Sequence, residues 1–501
     1  MTGGLLQLVA YGAQDIYLTG NPLVTYFKTI YRRHTNFAID SVEQTFNSTA
    51  GFGREVTCTL SRDGDLIAGA YLQTTLPDLP TSTTNDKHYV RWTDDVGHHL
   101  IKYVDLIVSG HRIDRQYGDW LEIWAQLTLT IGEEKGYREM IGQDPSGPLG
   151  INTGLQRDRS FNENQNVIPG RTIYVPLQFW FCRNIGLALP LIALQYSEVK
   201  VIIKFRQVRE LVASFDVDID SGNTGPLTET FDTLGDLEGT SLWIDYVLLD
   251  TDERRRFAQI SHEYLIEQVQ FNGQVSVSGD TVNTRTIPID LHFEHPVKEL
   301  IWVCQYDRAV SNGHVQWSNY TDRSALNFRN VDDKILDLDN LGKISYDIDT
   351  NFTSTYATSS QNLQAATSNS YCKPTNSVNP CLSAKLVLNG NQRFSTQPGA
   401  FFNLYEPKRK HTRTPRSPGI NVYSFAIHPE DHQPSGTCNF SRLHDAKLVL
   451  SVHTGTNHNL SLTNDVIASQ FRGSLAEVRI YATNYNIFRI MGGLGGLAYR
   501  T

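Results

Sequence analysis

Apolar and polar side chains alternate with period two through most of the clear segments of this chain. Examples are Lys200 to Phe205, Ser241 to Leu249, Lys298 to Val303, Lys385 to Leu388, Lys447 to Val452 and Glu477 to Ala482. Alternation places one face of a strand on a core and the other in solvent, and clusters of Gly, Pro, Asn and Asp separate the segments, so the pattern predicts a mostly β protein. Helical signals are few. The clearest follows Asp252, where Glu253 to Ile260 puts acid before base behind an Asp that suits an N-cap, near the middle of the chain.

A connector at mid-chain with β segments on both sides invites a search for internal repetition. Leu106-Ile107-Val108-Ser109-Gly110, then Ile113, Gln116, Gly118, Trp120, Leu121, Ile123 and Trp124, is echoed at nearly constant spacing. The echo is Leu386-Val387-Leu388-Asn389-Gly390, then Phe394, Gln397, Gly399, Phe401, Phe402, Leu404 and Tyr405, with one residue inserted after the first Gly. Leu194, Val199, Val201 and Ile203 are matched more weakly by Leu443, Leu448, Leu450 and Val452. We read two copies of one β-sandwich, divided between about residues 250 and 268. Residues 132–170 and 305–383 are polar, weakly periodic excursions, and connections longer than ~12–15 residues tend to be interaction surfaces.

At 501 residues, the chain is long enough for two or three domains with separate cores, and disorder throughout is excluded. A net charge of −9 argues against a general nucleic-acid coat. No run approaches the ~18–20 apolar residues of a membrane span, and the N-terminal residues lack the pattern of a secretory leader. The six cysteines, Cys58, Cys182, Cys304, Cys372, Cys381 and Cys438, form no CxxC, and reduced thiols are expected; Cys372 and Cys381 are spaced to pair across a loop, which the sequence leaves open.

Chemistry-bearing motifs are weak. His292-Phe293-Glu294-His295 would split its histidines between the two faces of a strand, and His98-His99 diverge as neighbours do. Asp216 to Gly222 starts like a calcium loop but has Ser221 where Gly is needed and Leu227 in place of the final Glu. Asp332, Asp333, Asp337 and Asp339 read as a solvated acidic loop, and Gly492 to Gly496 as a tail without the strand and helix of a phosphate cradle. No catalytic, cofactor or metal residue is assigned. Two contact candidates stand out. One is the basic run carrying Lys408, Arg409, Lys410, Arg413 and Arg416, and the other is an apolar N-terminal arm with Leu5, Leu6, Leu8, Val9, Tyr11 and Ile16.

Longer segments carry a family resemblance. Leu5 to Asp15, Tyr17 to Pro22, Phe27-Lys28 and Tyr31 to Phe37 resemble the N-terminus of major capsid proteins of nucleocytoplasmic large DNA viruses. Gly118 to Trp124, Asp252 to Arg254 with His262 to Gln268, Tyr423 to Ala426 with Gln433 to Arg442, and Asn484 to Asn486 with Gly492 to Tyr499 agree with the same family in the same order. The resemblance implies an all-β chain of two consecutive eight-stranded jelly-roll sandwiches with long inter-strand loops and few short helices. The expected division is an arm over 1–25, a first jelly roll over 26–250, a connector over 251–267 and a second jelly roll over 268–501. It further implies a structural role without catalysis or cofactor. Homotrimers would form pseudo-hexameric capsomers of an icosahedral virion shell, over an internal membrane and a double-stranded DNA genome that the chain does not bind directly. Minor capsid and penton proteins would be its other partners, with assembly in the host cytoplasm. The competing reading is a jelly-roll carbohydrate-binding or cupin-like metal protein.

Overall fold

The computed structural model describes residues 3–80, 88–142, 167–168, 170–218, 223–226, 234–277, 284–306, 310, 315, 317–320, 379–453 and 476–499. The first half contains β1 (Phe37–Gln44), β2 (Glu55–Thr59), β3 (Leu66–Thr75), β4 (Ile101–Val108), β5 (His111–Tyr117), β6 (Thr172–Pro176), β7 (Val199–Phe205) and β8 (Glu238–Leu249). The second contains β9 (His262–Val277), β10 (Thr284–Asp290), β11 (Pro296–Tyr306), β12 (Cys381–Leu388), β13 (Asn391–Gln392), β14 (Ile420–Ser424), β15 (Ala446–His453) and β16 (Ala476–Met491).

Pairing is antiparallel throughout these sheets. In the first half one sheet runs β1-β8-β3, with β6 on the far side of β3, and the other runs β2-β7-β4-β5. In the second half the orders are β9-β16-β11-β14 and β10-β15-β12-β13. Strand n of the first half thus has its counterpart in strand n plus eight, and each half is a jelly roll, as expected.

The alternation explains each core. In β7 every second residue is buried, with Val199, Val201, Ile203 and Phe205 inward, and β15 does the same with Leu448, Leu450 and Val452. The sequence echo falls on the same hairpin twice. Ser109-Gly110 and Asn389-Gly390 all have positive φ, the two-residue turn whose twist matches that of the flanking strands.

Several local expectations change. The mid-chain helix, α4, spans Thr251–Gln259; its N-cap is Asp250, not Asp252, because the Asp250 carboxylate accepts from the Thr251 N–H. Strand β9 then begins at His262, inside the segment assigned to the connector. The excursion after residue 130 opens as a helix, α3 (Ile131–Met140), closed at its start by a Thr130/Glu133 capping box. Gly492-Gly493 is a turn that follows β16 directly, and Leu494–Leu497 pairs back on Phe488–Met491, so a strand does precede this glycine segment, which is one arm of a hairpin.

Candidate assembly surfaces and the seam between the sandwiches

Helix α2 (Gly118–Thr128) follows β5 directly and is buried from Gly118 to Leu127. One side, through Leu121, enters the core of the first sandwich. The other side presents Trp120, Ile123, Trp124 and Leu127 to the outer face of the second sandwich, where they meet Val269, Ile301, Val303, Ile420, Val422 and Tyr481. Trp120 stacks on Trp124 with centroids 5.7 Å apart and lies 5.6 Å from Tyr481. Strand β11 is therefore buried on both faces: Leu300, Trp302 and Cys304 belong to its own core, whereas Ile301 and Val303 belong to the seam. Solvent exposure of one face, the expectation from its alternation, fails there because the first half covers it.

Charged groups sealed in this seam are paired. The Asp119 carboxylate receives Arg206 at 3.2 Å and, from the second half, Arg479 at 2.6 Å. Burial disfavours its charge, yet the two guanidiniums outweigh that and hold it well below the usual carboxylate range. Glu122 meets His98 Nδ1 at 2.8 Å, and Gln126 donates to it at 2.8 Å. Despite burial, His98 and the Arg138 cation keep Glu122 depressed. Lys298, fully buried, pairs with Glu267 at 2.8 Å, and Arg183 of the first half reaches the same carboxylate at 3.0 Å. Asp114 accepts from the Val269 N–H at 3.0 Å, and desolvation pushes its carboxyl up to about 6.

The histidines flagged by sequence take ordinary structural places. His98 and His99 sit on one short helix, Val96–Leu100, both buried; His99 contacts Ser318 Oγ at 2.8 Å and Asp119 at 3.4 Å. The His292 to His295 segment connects β10 to β11 rather than lying in a strand, and the backbone N–H groups of His292 and Glu294 donate to the Asn272 and Gln270 side chains. Among the described residues no group of three or more His, Cys, Asp or Glu is placed to hold a metal ion. Cys58, Cys182, Cys304, Cys381 and Cys438 carry free thiols, and burial pushes Cys58 and Cys381 up to about 11. Residues 219–222 and Leu227 of the calcium-like loop, Asp332 to Asp339 and Cys372 lie outside the described residues.

The basic run is divided. Lys408 and Arg409 are exposed on the helix Glu406–Lys410, whereas the Lys410 ammonium donates to the Ala426 carbonyl at 2.6 Å. Arg413 crosses to Glu134 of the first half at 2.8 Å, and Arg416 approaches Asp95 at 4.0 Å. Sequence reading missed His411, which lies buried between Glu299 and Glu430 at 3.0 and 2.9 Å. Burial would depress its pKa, but the two carboxylates raise it to about 9, so it is an imidazolium. The hairpin arm adds a further tie, with Tyr196 N–H donating to the Gly493 carbonyl at 3.0 Å and the Gly495 N–H to Ser197 Oγ at 3.0 Å.

The N-terminal arm contrasts with this closed seam. Helix α1 (Gly3–Val9) buries no residue, and Leu5, Leu6, Leu8, Val9, Tyr11 and Ile16 are all exposed, Leu8 at 78%. Exposed apolar side chains in such number make the arm a candidate contact surface.

Two fused jelly rolls with a sealed, charge-paired seam and apolar side chains turned outward are a rigid subunit with surface left for contact with further proteins. Comparison with known proteins agrees. A profile described as the major capsid protein N-terminus matches residues 25–250, and one described as the large eukaryotic DNA virus major capsid protein matches residues 253–496. The major capsid protein of Phaeocystis pouchetii virus is 44% identical, and that of Paramecium bursaria Chlorella virus 1 is 36% identical, each alignment covering 100% of both chains. Among solved structures, VP54 of PBCV-1 superposes with a TM-score of 0.68 at 30% identity, over 95% of this chain and 100% of that one. The Faustovirus major capsid protein shares the fold, with a TM-score of 0.63 at 12% identity over 96% of this chain and 94% of that one. The chain belongs to the major capsid protein family of large eukaryotic DNA viruses: it is a structural component of the virion capsid, not an enzyme.

Proposed function

We propose that this capsid protein assembles as a homotrimer, in which three chains of two jelly rolls supply six similar wedges of a pseudo-hexameric capsomer. The observation that carries this reading is the repeated strand order, since two copies of one fold per chain let three chains approximate sixfold shape. Capsomers would tile an icosahedral shell over an internal membrane and a double-stranded DNA genome, with minor capsid and penton proteins as further partners, after synthesis in the host cytoplasm. In this reading residues 1–25 are the assembly arm, 26–250 and 268–501 the two wedges, and 251–267 the link between them. Leu5, Leu6, Leu8, Val9, Tyr11 and Ile16 would dock on inner partners, and their exposure supports that role. Lys408, Arg409 and Arg416 are the exposed members of the basic run and would be its contact residues. The test is the mass of the purified protein: a species near three times 56.5 kDa is expected, and a strict monomer at high concentration would overturn the capsomer.

A further inference from the structure

The two halves share a β-bulge that fixes their alignment residue by residue. In the first sandwich the register slips at Ala68, between the pairs Asp245↔Gly69 and Tyr246↔Ile67. In the second it slips at Lys298, between Thr483↔Glu299 and Asn484↔Val297. Trp243, paired with Glu43 and Tyr71, is thus the counterpart of Tyr481, which is paired with Phe271 and Ile301. Tyr174, beyond Gln73, corresponds to Ile420 beyond Val303.

Tyr481, Ile301 and Ile420 are the floor on which α2 rests. Among the described residues no helix covers their counterparts Trp243, Tyr71 and Tyr174: they form an aromatic row on the sheet surface, with Tyr71 stacked on Trp243 at 6.1 Å, both half-buried, and Tyr174 at 39% exposure. The covering helix has an open counterpart as well. By the sequence echo Trp120, Ile123 and Trp124 correspond to Phe401, Leu404 and Tyr405. Phe401 stacks on Tyr405 at 5.4 Å, as Trp120 does on Trp124, yet Leu404 is 51% and Tyr405 54% exposed.

We propose that these two open faces meet between chains: the segment Phe401–Lys410 of one copy covers the Tyr71, Tyr174, Trp243 row of the next, repeating the internal seam. This rests on the trimer reading above and names its contact. Sizes compensate, because the smaller helix rings face the larger sheet rings. Charges change together too. The Asp119–Arg479 ion pair of the seam is replaced by Ala400 and Ser241, so neither side buries a lone charge. Where the seam has Leu127 and Phe271, the open faces have Lys408 and Glu43, a basic and an acidic residue. A contact of helix on sheet is heterologous, so it propagates from chain to chain, and on the trimer reading the ring closes after three copies.

Three proteins test this by light-scattering mass: wild type, a helix variant (Leu404→Asp with Tyr405→Asp) and a sheet variant (Tyr71→Asp with Tyr174→Asp). Leu404, Tyr405 and Tyr174 are exposed in the single chain and Tyr71 is half-buried, so circular dichroism and melting check folding, and Tyr174→Asp alone replaces the sheet variant if the double substitution does not fold. We expect three chains for wild type, one for each variant, and two for an equimolar mixture, because only one sound junction can form. Folded variants that still trimerise, or a mixture that stays single, would overturn the proposed contact while leaving the trimer intact. A wild type that is itself monomeric would overturn both.

Discussion

Gly118 and Gly399 hold equivalent places: a methyl group on either would overlap a carbonyl oxygen, that of Ile101 or of Cys381, which open β4 and β12. Gly118→Ala and Gly399→Ala should each lower the denaturant midpoint, by about 1–3 kcal/mol of stability, because backbone rather than a movable side chain blocks the methyl. The echo in the sequence aligned these glycines, but the carbonyls they pack against became visible only with the fold. His411 was less legible still. Its partner Glu299 comes from β11, far off in the chain, and Glu430 from the loop after β14, so no local spacing announces the pair. Its folded pKa of about 9 lies above the unfolded value near 6.5, so its stabilisation is complete below about pH 6.5 and is lost as pH rises through 9. Thermal melts from pH 6 to pH 10 should show a falling Tm that is flattened in His411→Asn, a variant also less stable at pH 6.

Strand periodicity was readable wherever one face meets solvent. It misled in β11, where Lys298 and Glu299 are buried because α2 and its neighbours cover the outer face. Helix α3 did carry a local signal, the Thr130-x-x-Glu133 spacing, but it lay in a segment dominated by loop-forming residues. The helix most consequential for the molecule is α2. Trp124→Ala would remove an indole that packs on the seam beneath the Arg183 guanidinium, 5.0 Å from its ring. A loss of about 3–5 kcal/mol is expected, with unfolding split into two calorimetric steps as the halves uncouple. Asp119→Asn should produce a similar split, since it leaves Arg206 and Arg479 in a buried site without their carboxylate.

On the scale of the whole molecule, one jelly roll is joined to its repeat by a sealed seam, while an apolar arm and two open faces look outward. Deleting residues 1–20 should leave the melting temperature and the trimer mass unchanged but reduce shells seen by electron microscopy in an assembly reaction. The expected cause is the loss of a contact element that buries nothing in its own chain. By itself the sequence determined the β content, the tandem repeat and the family, because alternation, turn residues and long shared segments are local properties of the chain. Only the tertiary structure decided which faces are spent inside the subunit and which remain free. Trp124 and Tyr405 are echoes of each other in sequence; one is buried and the other open because a second sandwich lies against only the first, and which surface a neighbour covers is set by packing over long chain separations.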